Sequence, residues 1–154
     1  HRLWSRTRIL EAASRLTPAQ LREPFPIGPG SVFAALNHLH AAEFAWLEAL
    51  KGAPKAILPE HDPGGGLAPL LRDWADLDER WGDYLSKLDD RELDRPVTRT
   101  NRAGVTSTTA AHDVLVHVCT HGFYHTAQIV NMLRRLGVAE LPETNFITMA
   151  REVG

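Results

Sequence analysis

The chain predicts an all-α fold, an up-and-down bundle of four main helices with a short extended excursion before the last long one. Two observations carry this. Four stretches place apolar residues at i, i+3, i+4 and i+7, the spacing that puts them on one side of a helix. Cap residues and glycine stops bound several of these stretches. A third observation bears on function: His117, His121 and His125 fall one helical turn apart in the last stretch, DVLVHVCTHGFYHTAQIVNMLRRLG.

The first segment, RLWSRTRILEAASRL, spaces Leu3, Arg6, Ile9, Leu10, Ala13 and Leu16 as a helix. Thr17-Pro18 then ends it or starts a short turn, since proline suits a first helical position. PFPIGPG reads as a rigid loop, and Ser31 behind it is a natural N-cap for a second helix running to about Lys51-Gly52. Residues 53 to 66, with Pro54, Pro59, Pro63 and Gly64–Gly66, read as a mobile connection or a lid, with His61 in solvent. The third helix has the cleanest stripe, Leu67, Leu70, Leu71, Trp74, Leu77, Trp81, Tyr84, Leu85 and Leu88. It offers no ligand, so it is core. In PVTRTNRAGVTST, β-branched residues flank Asn101 to Gly104, which points to two short strands or an extended loop. The histidine helix is expected to start near Thr108 or Thr109 and to stop at Gly137. After Pro142, ETNFITMAREV forms one short terminal helix.

Composition bounds the function. A chain of 154 residues, 44% hydrophobic and 23% charged, fits one globular domain over residues 1–154. Its formal net charge of -2 comes without a basic block, so no nucleic-acid footprint is visible. Arg134 and Arg135 at the end of the last long helix complement its dipole instead. No apolar run approaches the ~18 residues of a membrane span, so no membrane partner is expected. The single Cys119 has no internal disulfide partner and reads as a small buried hydrophobe. A reducing cytoplasm is the default location. No signal-peptide pattern is visible, but the chain opens on His1 rather than Met, so an upstream segment or a tag remnant stays open.

Two imidazoles at i and i+4 project from one face and can hold one ion from the same side. His117 and His125 lie roughly 12 Å apart along the axis, so one ion cannot take all three. The candidate pair is His121 with His125, or His117 with His121. A packed histidine that binds no metal needs a carbonyl or carboxylate partner, which is the competing reading. A third ligand would strengthen the metal reading, and the second helix offers His38 and His40. His38 shares a stripe with Ala35, Ala42, Ala45 and Ala49, small neighbours that let another helix come close and leave room for an ion. His40 falls on a different face.

Other chemistries fail on particular residues. HGFYH has the histidine spacing of a zinc protease but Gly122 where the general-base Glu should stand. There is no G-x-S-x-G elbow, no Walker motif and no dinucleotide fingerprint.

GPGSVFAALNHLHAAEFAWLEAL resembles the second helix of the DinB-like (DinB/YfiT-type) four-helix-bundle proteins, and HVCTHGFYHTAQIVNMLRRLG resembles their fourth. PETNFI is similar to the family's ending, and Trp4 to Leu10 matches its first helix. The resemblance implies a metal triad of His38, His121 and His125, with His117 structural or supporting and Gln128 orienting a ligand or lining the pocket. Thr126 departs from the Arg common in the family, which leaves any role of that Arg open here. Three imidazoles leave at least one coordination position open, as in exchangeable or catalytic sites. The implied cofactors are a divalent transition metal, Zn or Ni, and a low-molecular-weight thiol. The implied activity is a metal-dependent thiol S-transferase or isomerase acting on an electrophilic substrate, with activation of water as the hydrolase-like variant. A non-catalytic metal-binding stress-response module and a purely structural bundle are the alternatives. A homodimer is expected from the apolar stripes and from the family.

Overall fold

The computed structural model describes residues 1–59, 61, 64 and 66–153. Four long helices carry about half of the chain: α1 (Arg2–Ser14), α3 (Val32–Leu50), α4 (Ala68–Ser86) and α6 (Ala111–Arg135). Three short ones join or end them: α2 (Pro18–Arg22), α5 (Asp90–Leu93) and α7 (Phe146–Val153). A two-stranded antiparallel hairpin, β1 (Pro96–Thr100) and β2 (Thr106–Ala110), stands before α6. Among the described residues no helix is long and apolar enough to cross a membrane.

The local chemistry explains these boundaries. Thr17 makes a capping box with Gln20, and Pro18 takes the first position of α2, where its missing N–H costs nothing. The Ser31 hydroxyl accepts the Ala34 N–H at 3.1 Å and so starts α3. At the other end Gly52, with φ +93, lets its own N–H reach Ala49 O and the Ala53 N–H reach Glu48 O, closing the helix in a Schellman motif. Gly137 ends α6 in the same way, with Gly137 N–H on Arg134 O and Val138 N–H on Leu133 O. The α6 start expected at Thr108 or Thr109 is displaced to Ala111. Both threonines belong to β2, paired with Thr98 and Val97, because β-branched residues complete the hairpin before the helix begins.

The chain divides into two compact units. The first holds His1–Leu39, residues 62–67 and residues 119–154. Its buried residues include Ile9, Ala13, Leu36, Ile129, Met132 and Leu133, each fully covered. The second holds His40–His61 and Ala68–Val118. Its buried residues include Leu47, Leu50, Leu70, Trp74, Leu77 and Val97. Helices α3 and α6 each contribute residues to both.

Three expectations need correction. Leu85, at the end of the α4 stripe, is exposed, since α4 finishes one residue later. His61 is not in solvent: its side chain is only 4% exposed, with Nε2 2.9 Å from Asp73 Oδ2 on α4 and its ring edge-on to that of His40. Cys119 is exposed rather than buried. It follows Val118 by one residue, about 100° around α6, and that turn takes it off the covered line of Val114, Val118, His125 and Ile129. The mobility expected around Pro63 and Gly65 lies outside the described residues.

Candidate metal centre

The first unit brings His38, His121 and His125 together. Each offers one ring nitrogen, and the three nitrogens lie within 4.8 Å of one another. His38 Nε2 and His121 Nε2 are 3.2 Å apart. Ring centroids are 5.2 Å apart for His38 and His121, 4.6 Å for His38 and His125, and 4.5 Å for His121 and His125. Two nitrogens at about 2.05 Å from a tetrahedral ion would stand about 3.3 Å apart, so the His38–His121 spacing suits a shared ion. The same distance also suits an N–H···N hydrogen bond between neutral imidazoles. The donor set is chemically coherent: three imidazoles, borderline ligands suited to Zn, Ni and their neighbours.

Burial differs across the three. His125 is buried, His121 half-buried and His38 exposed, so the cluster is closed on the α6 side and open at His38. The open side is where an incoming ligand has access.

Gln128 orients the buried member. His125 Nδ1–H donates to Gln128 Oε1 at 2.8 Å, which leaves Nε2 with its lone pair free to coordinate. Burial pushes the His125 pKa below the usual imidazole range, and the bond to Gln128 offsets part of that. Both the tautomer and the neutral state are those a ligand needs. The Gln128 side chain is held by a contact that sequence reasoning missed. Gly28, in the loop before α3, has φ +50, and a Cβ there would fall 2.0 Å from Gln128 Oε1. Only a glycine lets the loop lie so close. The two glycines among the prolines of PFPIGPG signal a turn, but not which side chain fills the space that Gly28 leaves.

The other histidines lie elsewhere. His40 is buried in the second unit, edge-on to Trp74 at 5.5 Å and to His61 at 5.2 Å, as its different helical face predicts. His117 is exposed, and its ring packs against Trp46 at 5.1 Å, a structural contact. Thr126, at the departure from the family pattern, is 3% exposed, a position where a charged Arg would be costly to bury.

The fold and the site define a class: helical-bundle proteins with a histidine cluster built from two of the long helices. The model of the DinB superfamily matches residues 3–129, and the chain belongs to that superfamily. A protein of Bacillus subtilis (strain 168) described as Protein DinB is 26% identical over 140 residues, covering 88% of this chain and 79% of that protein. Two solved structures from Bacillus subtilis share the fold. The DinB-like protein YjoA matches with a TM-score of 0.67 at 19% identity, over 93% of this chain and 94% of its own. YfiT matches with a TM-score of 0.65 at 18% identity, over 86% and 82%, and is described as a "probable metal-dependent hydrolase with an unusual four-helix bundle topology". The expected fold class therefore stands: all-α, a four-helix bundle of DinB-like type, with the hairpin as a minor addition.

Proposed function

We propose that His38, His121 and His125 hold one divalent transition-metal ion, Zn or Ni, and that the protein is a metal-dependent enzyme activating a low-molecular-weight thiol or water. The observation that carries this is the convergence of three ring nitrogens within 4.8 Å. Bound there, such an ion acts as a Lewis acid and lowers the pKa of a thiol or water that reaches it. The chain's own groups do the rest. Gln128 holds the His125 tautomer, burial keeps that imidazole neutral, and the exposed His38 side admits the incoming group. With a thiol as the incoming group the reaction would be S-transfer, the thiolate forming a C–S bond to the electrophilic carbon while its leaving group departs or its ring opens, or an isomerisation. With water it would be hydrolysis, a variant supported by the description of YfiT.

The test is elemental mass spectrometry on protein purified without an affinity tag, for the wild type and His125→Ala. A near-stoichiometric metal that vanishes in the variant supports the triad and leads to a panel of thiols with electrophiles and of hydrolysable esters and amides. Metal without turnover on that panel would leave a non-catalytic metal-binding module. A wild type that is empty and refuses added Zn and Ni would sink the triad and leave a bundle with hydrogen-bonded histidines.

A further inference from the structure

In the second unit a cavity of about 270 Å³ opens between the 54–58 segment and the tip of the hairpin. Lys55, Arg99 and Arg102 line it together with Thr100 and Asn101, and among the described residues no carboxylate does. Arg99 is the informative member. Alternate residues of a strand face the same way, and Val97, two residues earlier, is 2% exposed, so Arg99 points to the covered face of the hairpin. Its guanidinium lies 4.3 Å from the centre of the Trp46 ring. Burial holds its pKa below the usual guanidinium range. Other arginines of this unit meet carboxylates, Arg80 with Glu48 and Arg95 with Glu92. Arg99, Arg102 and Lys55 make no ion pair among the described residues. A half-buried cation is costly unless something anionic faces it.

We propose that this cavity binds a small anion bearing a carboxylate or phosphate group. The Arg99 fork matches either group in a bidentate arrangement, and stacking on Trp46 orders the side chain before the ligand arrives. The walls are also set in advance. Thr100 N–H donates to Pro54 O at 2.8 Å, tying the 54–58 segment to β1. Asn101 closes the hairpin tip through its N–H to Val105 O and through its Oδ1, which accepts the Val105 N–H at 3.0 Å. The cavity is slightly smaller than the ~300–1,000 Å³ usual for drug-sized ligands, so it suits a compact anion and not a polymer. The proposal is independent of the metal reading. Composition did not reveal the site, because Lys55 lies over forty residues from Arg99 and Arg102 and no basic run joins them.

The experiment titrates the full chain with succinate in one arm and inorganic phosphate in the other, following the Arg99 Nε–Hε resonance. Saturation in one arm alone identifies the preferred group. Arg99→Gln should weaken binding about tenfold or more, the loss of a charge-assisted bidentate pair. Lys55→Ala and Arg102→Ala alter exposed side chains and should each weaken it about threefold at an unchanged melting temperature. These two keep the test decisive if Arg99→Gln folds poorly. The proposal is overturned if the wild type binds neither anion below about 10 mM, or if Lys55→Ala and Arg102→Ala both bind as the wild type does. It is overturned as well if binding disappears in His125→Ala, which would assign the anion to the triad.

Discussion

Gly28→Ala probes the support of the candidate metal centre without touching a ligand. The added Cβ would meet Gln128 Oε1 at 2.0 Å, Cδ at 2.6 Å and Nε2 at 3.0 Å. Gln128 must swing away and give up its bond to His125 Nδ1. The backbone at φ +50 adds its own strain, about 1–2 kcal/mol for a residue with a Cβ. The lost hydrogen bond adds about 1 kcal/mol, so the chain without metal should lose roughly 2–3 kcal/mol of stability. Zinc affinity should fall about 10–100-fold, the usual effect of removing the partner that orients a ligating histidine. Gly52→Ala is the control: its φ is +93, yet a Cβ there meets nothing within 4 Å, so it carries the strain without the clash. The assays are urea denaturation of the metal-free chain and zinc competition against a chromophoric chelator. Long-range nitrogen NMR reads which His125 nitrogen holds the proton. The reasoning is refuted if Gly28→Ala costs no more than Gly52→Ala and keeps both its zinc affinity and the Nδ1–H tautomer.

Three further outcomes follow from local contacts. Ser31→Ala should cost about 1 kcal/mol in urea denaturation, because the Ala34 N–H loses its cap; an unchanged midpoint would contradict the capping role. Cys119 should react with a maleimide in the folded protein at the rate of an open thiol, and Cys119→Ser should change stability by less than about 0.5 kcal/mol; labelling only at the rate of unfolding would contradict its exposure. The Asn145 backbone N–H and side-chain amide both donate to Glu143 Oε1 at 2.7 Å, and the backbone bond is the main reason its pKa lies below the usual carboxylate range. A carboxylate depressed in this way contributes stability above its unfolded pKa, and that contribution is lost as pH falls through the folded value. Glu143→Gln should therefore show a smaller drop in melting temperature than the wild type between neutral pH and about pH 3, and equal drops would refute the linkage.

Much of this protein was legible along the chain because the signals are local. A helix face repeats every 3.6 residues, so the stripes of α3, α4 and α6 could be read directly, as could the cap at Ser31 and the stops at Gly52 and Gly137. The His121–His125 pair belongs to the same kind of signal, since residues at i and i+4 are neighbours in any helix. Periodicity gives only a relative angle, and which side of a helix is covered depends on what packs against it. That is why Cys119 lies in solvent and why the α4 stripe is open at Leu85; the His61 imidazole, outside any helix, meets Asp73 and His40 through tertiary contacts that no periodicity encodes.

The chain by itself determined the four long helices and several of their caps and stops, and it narrowed the ligating histidine pair to His121 with His125 or His117 with His121. Tertiary structure decided the rest of the site. It brought His38 of α3 to within 3.2 Å of His121, set Gln128 against Gly28 and gathered three separated cations around one cavity. Each of those contacts joins residues far apart in sequence, so it depends on the packing of whole elements, which no local pattern of residues encodes.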